Sequence, residues 1–209
     1  MSPPTKYAVA LFPGFQALDV FGSLDILNLL SMNMPLEFVT LSANMDAVST
    51  KSPLTSHSIS QSVAPTHTFQ NCPDDIEVLL VPGGFGERDP NAIRPVVDFV
   101  KSRYPRLRYL LTVCTGSAVA ARAGVLEGKR ATTNKRAWDQ VISESPNVQW
   151  VRQARWVADG NIWTSSGVTA GMDMMYAFIA DQYGEHTAED LADIAEYVRN
   201  TDPSNDPFA

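Results

Sequence analysis

The chain reads as an α/β fold: a mostly parallel central sheet covered by helices on both faces. Three observations predict it. Short apolar runs carrying β-branched residues recur at residues 7–12, 36–41, 76–81 and 109–113, as buried parallel strands require. Segments with helical spacing of apolar residues separate several of these runs, which favours crossover connections over hairpins. Three of the runs end in turn-forming or small residues, at Pro13-Gly14, Pro82-Gly83-Gly84 and Cys114-Thr115-Gly116. In a parallel sheet such ends gather along one rim.

In order, residues 7–12 (Tyr-Ala-Val-Ala-Leu-Phe) form the first strand, ended by Pro13-Gly14. Leu18, Phe21, Leu24, Ile26, Leu27 and Leu30 then space as a helix, with Asp19 in its first turn. Asp19 is either a helix-dipole acid or a carboxylate aimed at the rim. Residues 36–41 are the second strand, and the Ser- and Thr-rich stretch 42–59 holds a short hairpin or edge strands. Residues 76–81 are the third strand. Gly83-Gly84 behind it lets backbone N–H groups approach a ligand or a developing anion. That loop lacks Gly-x-Gly-x-x-Gly spacing, so it is not a dinucleotide fingerprint.

Asp89-Pro90 is a helix start, with Pro95 as the other candidate, and Pro105 ends that helix. The run from Tyr109 leads to Cys114 and then to an alanine-rich helix. A side chain at such a joint stands clear of the sheet, near the first helical N–H groups. This position favours a thiolate, so Cys114 reads as a nucleophile at an elbow. Further on come short strands at 131–133, 148–151 and 155–158, and a helix at 135–142. A hairpin turns at Asp159-Gly160-Asn161 into a strand at 162–165. A helix over 170–183 follows, with Thr169 as N-cap and Asp173 as a dipole acid, and then a last helix over 188–197. Residues 199–209, with Pro203 and Pro207, form a loose or docked tail.

With 209 residues, 44% of them hydrophobic, the whole chain is expected to fold as one domain. A net charge of −7 argues against nucleic acid or an anionic membrane as partner. No apolar run reaches the roughly 20 residues of a membrane span, and the apolar run after Lys6 is too short for a signal peptide. Cys72 and Cys114 are expected to be reduced and the chain cytoplasmic. Cys72, in a polar turn, reads as incidental. His57, His67 and His186 are scattered in polar surroundings and read as surface residues, and no spacing suggests a metal site.

Several motifs then resemble one family. Leu11-Phe12-Pro13-Gly14-Phe15-Gln16-Ala17-Leu18-Asp19, Leu80-Val81-Pro82-Gly83-Gly84, Val113-Cys114-Thr115-Gly116-Ser117, residues 123–133 and residues 166–173 are similar to the ThiJ/PfpI superfamily. Within it, Gln-x-Leu-Asp and Cys-Thr-Gly resemble the isocyanide hydratase branch. The resemblance implies a flavodoxin-like sandwich, a homodimer, a small-molecule substrate and no metal or organic cofactor. It implies Cys114 as nucleophile, Asp19 beside the sulfur as an acid or an orienter of water, Thr115 positioning the attacked group or the carboxyl group, and the N–H groups of Gly84 and Thr115 as oxyanion donors. Thr115 and Asn134 stand where many relatives carry histidine, so a Cys-His peptidase is not expected.

Three functions compete: hydration of a small electrophile such as an isocyanide, glyoxalase or deglycase action on methylglyoxal, and redox sensing through an exposed, oxidisable Cys114. Phe15, Phe85, Trp138 and Trp163 are the candidates for lining a substrate pocket.

Overall fold

A computed structural model describes residues 2–209. The elements run in order: β1 (Lys6–Ala10), α1 (Ala17–Ser31), β2 (Glu37–Ser42), β3 (Val48–Ser49), β4 (Ser62–Val63), β5 (His67–Thr68) and β6 (Val78–Val81). Then come α2 (Pro90–Arg103), β7 (Tyr109–Thr112), α3 (Gly116–Arg122), β8 (Arg130–Ala131), α4 (Trp138–Glu144) and β9 (Gln149–Trp150). Last are β10 (Trp156–Asp159), β11 (Ile162–Ser165), α5 (Thr169–Tyr183) and α6 (Glu185–Ile194).

Seven strands form the central sheet in the order β10-β11-β7-β6-β1-β2-β5, and only the β10–β11 pair is antiparallel. Val78 to Val81 in β6 are all buried, as are Leu110 to Thr112 in β7, because helices cover both faces of these central strands. The sheet is therefore the mostly parallel one that the apolar runs predict. Its centre places the C-terminal ends of β1, β6 and β7 side by side.

The edges differ from the sequence reading. The hairpin expected within 42–59 pairs β3 with β4 across a longer loop. The strands expected at 131–133 and 148–151 shrink to two residues each, and they pair as a small parallel sheet outside the main one. Helix α2 starts at Pro90 with Asp89 as a true cap, its side chain accepting from the N–H groups of Asn91 and Ala92, so Pro95 lies inside the helix. The last helix ends at Ile194, short of the expected 197. His67, read as a surface residue, is half-buried in the edge strand β5. The tail after α6 docks on the chain's own body: Arg155 N donates to Pro203 O at 2.7 Å, and Asp206 is buried. Among the described residues no helix is long and apolar enough to cross a membrane.

Candidate active site

Strand β7 delivers Cys114 to a sharp turn before α3. Cys114 has φ 59°, a left-handed conformation that is unfavourable by about 1–2 kcal/mol for a residue with a Cβ. Four bonds hold it there. Cys114 N donates to Ser166 O at 3.0 Å, and Gly116 N donates to Val113 O at 2.9 Å. The Cys114 carbonyl accepts from Ser117 Oγ at 3.0 Å and from Thr133 Oγ1 at 3.2 Å. The elbow expected from sequence is thus a strained turn braced from three segments.

The thiol does not behave as the helix end suggests. Cys114 is only 7% exposed, and α3 is just seven residues long. Burial, then the charge of nearby Asp19, push the thiol up to about 12. The Thr115 N–H, the Asn134 side chain and the Val168 N–H act on the sulfur in the opposite direction. The expectation of an exposed, low-pKa thiol is corrected: desolvation outweighs three hydrogen-bond donors.

Asp19 enters from α1, 1% exposed, and its Oδ2 accepts the Gly83 N–H at 2.9 Å. Among the described residues Oδ1 is buried without a hydrogen-bond partner. Burial lifts this carboxyl group to about 7 against the pull of the Gly83 bond, so near neutral pH it holds a proton about half the time. Oδ1 is the free oxygen to carry it. Asp19 is therefore no surface dipole acid.

The glycine pair brings the third segment in. A side chain at Gly83 would meet Thr115 N at 2.5 Å and Thr115 Oγ1 at 2.6 Å, so only glycine lets the loop touch the elbow. Gly84 has φ 137°, also open mainly to glycine. Its N–H is not free, since it donates to Thr115 Oγ1 at 3.1 Å. In this resting geometry the donor expected for an oxyanion instead orients the threonine hydroxyl.

Above the sulfur lies a cleft of about 390 Å³, lined by Gln16, Phe85, Arg88, Asn134, Arg136 and Val168 around Cys114. Asp19 is not on its wall but sits beneath, within the core. A groove of about 500 Å³ runs along α1 between Leu18, Phe21 and Met172, and no cysteine lines it.

Of the four aromatic candidates only Phe85 faces the cleft, where Arg88 stacks 5.4 Å over its ring. Phe15 and Trp163 belong to the core, and Trp138 lies buried at the start of α4, edge-on to Trp150. Thr169 is the first residue of α5 rather than its cap, which is Val168 at φ 37°. Asp173, expected to be a dipole acid, is buried and bonded to Arg155. Cys72 is half-buried, its thiol also raised by burial, and lies apart from the cleft.

The sequence reading missed Arg88 and Arg136, and it took Asn134 only as a missing histidine. Glycine loops flanked by charge, as in Gly-Phe-Gly-Glu-Arg, are a signal that could have marked Arg88. Among the described residues no three His, Cys, Asp or Glu side chains converge as a metal site.

Residues 5–181 match the DJ-1/PfpI family. The chain is 37% identical over 180 residues to an isonitrile hydratase of Pseudomonas putida, covering 86% of this chain and 72% of that protein. It is 34% identical over 99 residues to a deglycase of Pyrococcus abyssi, covering 46% of this chain and 55% of that protein. Among solved structures, a ThiJ/PfpI family protein from Pseudomonas syringae superposes with a TM-score of 0.77 at 27% identity, covering 95% of this chain and 77% of that one. With the elbow, the buried carboxyl group and the glycine loop meeting on one rim, the chain belongs to the DJ-1/PfpI family.

Proposed function

We propose that the protein is an isocyanide hydratase, converting R–N≡C and water to the formamide R–NH–CHO in the cytoplasm. The observation that carries this reading is the pair formed by Cys114 and Asp19, a thiol beneath a cleft with a carboxyl group of pKa about 7 buried beside it. Similarity to the isonitrile hydratase over most of the chain supports it. The deglycase likeness covers under half of the chain, and Asn134 stands where such a reaction would use a histidine base. Burial, which keeps Cys114 a thiol, weighs against a sensor whose free thiolate must react with oxidants.

In this mechanism Cys114 passes its proton to the Asp19 carboxylate, and the thiolate bonds to the isocyanide carbon. That carbon gains an electron pair and takes the proton back from Asp19, giving a thioimidate. Water adds next: the Asp19 carboxylate takes one of its protons and passes it to the imine nitrogen, leaving a tetrahedral carbon that bears OH, NH–R and the sulfur. The hydroxyl proton then passes to Asp19 as the C–S bond breaks; the thiolate leaves and takes that proton back, and the formamide is released. Thr115 does two things. Its N–H faces the sulfur, and its hydroxyl, held by Gly84 N–H, offers its own proton to the attacked group. As the tetrahedral oxygen forms, the N–H groups of Gly84 and Thr115 turn to it as oxyanion donors.

The chain acts as one domain and, in this reading, as a homodimer. Leu18 and Phe21 on α1, 41% and 44% exposed, offer an apolar face for a second copy.

Reduced protein mixed with cyclohexyl isocyanide is expected to yield N-cyclohexylformamide, and Cys114→Ala to lose at least about 1,000-fold in rate. No formamide from folded, reduced protein, or a Cys114→Ala variant as active as the parent, overturns the proposal.

A further inference from the structure

We propose that Asp206, in the C-terminal tail, is a positioning residue for the Cys114 centre: with Lys135 it clamps the two chain segments whose donors reach the sulfur. The inference rests on the reading that Cys114 is the reacting atom.

Lys135 is buried almost completely, its side chain 5% exposed. Its Nζ lies within 2.9 Å of Thr132 Oγ1, 2.9 Å of Ala154 O, 3.2 Å of Ser166 Oγ and 3.3 Å of Thr133 O. The Asp206 carboxylate, 0% exposed, adds its charge with Oδ2 at 3.2 Å from Nζ, an ion-pair contact without hydrogen-bond geometry. Burial works against the charge on both groups. It holds Lys135 below the ordinary lysine value although Asp206 pulls upward. Asp206 nonetheless sits below the usual carboxylate range, because Ser166, the Phe208 N–H and Lys135 together outweigh its burial.

The cluster touches two segments, each one or two residues along the chain from a donor that reaches the sulfur. Lys135 follows Asn134, whose Oδ1 accepts the Arg136 N–H at 2.8 Å. With its oxygen used, the amide can only turn Nδ2 to the sulfur, the direction in which Asn134 acts on the thiol. On the other side, Ser166 O accepts the Cys114 N–H at 3.0 Å, and Ser166 Oγ faces Lys135. Two residues on, Val168 directs its N–H at the sulfur from φ 37°, which a β-branched residue holds only under restraint. A buried ion pair is seldom the cheapest source of stability, since apolar residues of equal volume often do as well. Its place between two sulfur donors gives it a different use.

The charge can be removed without freeing the tail, which stays attached through Arg155 N to Pro203 O and Gln153 Nε2 to Ser204 O. The experiment measures alkylation of Cys114 by iodoacetamide at about pH 8, read by peptide mass mapping with Cys72 as internal reference, beside kcat and KM for the isocyanide. Asp206→Asn is expected to slow Cys114 alkylation and to lower kcat, each about tenfold, with KM within about twofold and Cys72 unchanged. Asp206→Glu restores most of both. If Asp206→Asn fails to fold, the double variant Lys135→Met with Asp206→Leu, which leaves no buried charge, is expected to fold and to keep the same deficit. A folded variant whose Cys114 alkylates at the parental rate overturns the proposal, as does an Asp206→Glu variant as impaired as Asp206→Asn. The alkylation arm needs no turnover, so it decides the clamp even where isocyanide hydration itself fails.

Discussion

Asp19 and Asp173 occupy matching places and serve opposite ends. Each lies near the start of a helix that follows a sheet strand, and they are 1% and 2% exposed. Asp173 has both oxygens engaged: Oδ2 accepts from Arg155 Nε at 2.6 Å, and Oδ1 accepts from Tyr197 Oη and from Asn200 N, both at 2.9 Å. Asp19 has one backbone donor and one oxygen without a partner. A buried carboxylate with both oxygens engaged ties segments together. One left short of donors becomes a proton store, because burial then decides its pKa. Asp173 joins α5 to Arg155, just before β10, and to the segment after α6, while Asp19 serves the sulfur in the proposed reaction.

Substitutions that break the comparison have ordered sizes. Asp173→Ala leaves the nearly buried Arg155 guanidinium unpaired and is expected to destabilise by about 3–5 kcal/mol in urea unfolding. Asp19→Asn should act in the other direction. In the folded protein this carboxyl group keeps its proton up to about 7, whereas its ordinary value is 3.8. Stability is therefore lost as pH rises between those two values, and the deficit is complete above them. Asp19→Asn keeps an acceptor for Gly83 N–H and carries no charge. At about pH 8 it should be more stable than the parent by up to about 4 kcal/mol, and about equal to it at pH 4. Equal unfolding midpoints at both pH values would show that Asp19 is ionised without penalty. Tyr197→Phe, which removes one of three donors from Asp173, should cost only about 1.5 kcal/mol and leave isocyanide turnover unchanged.

The same pair shows what was legible in the sequence. The rim was, because Cys114 and Gly83-Gly84 sit directly behind apolar strand runs and Asp19 lies in the first turn of the helix after another, so local pattern alone brings them together. Asp173 was misread because its partners lie 18 to 27 residues away and only packing brings them near. Desolvation of Cys114 was equally invisible. The sequence marks a helix end near the sulfur, but the covering by the Ser166 to Val168 segment is tertiary. The two-residue strands β8 and β9 carry too little periodicity to separate from loops, and the docking of Asp206 on Lys135 spans 71 positions.

The central claim is that Cys114 and Asp19 work as a pair sharing one proton, and its most direct test is kcat/KM for an isocyanide against pH, from about pH 5 to about pH 9. With the carboxyl group at about 7 and the thiol at about 12, the pair loses its first proton as pH rises through 7 and keeps the second. The account predicts that kcat/KM climbs with pH, bends near 7 and then stays level. It also predicts that Asp19→Asn removes the bend together with about 100- to 10,000-fold of the rate. A profile flat or falling through pH 7, or a bend that survives in Asp19→Asn, contradicts it.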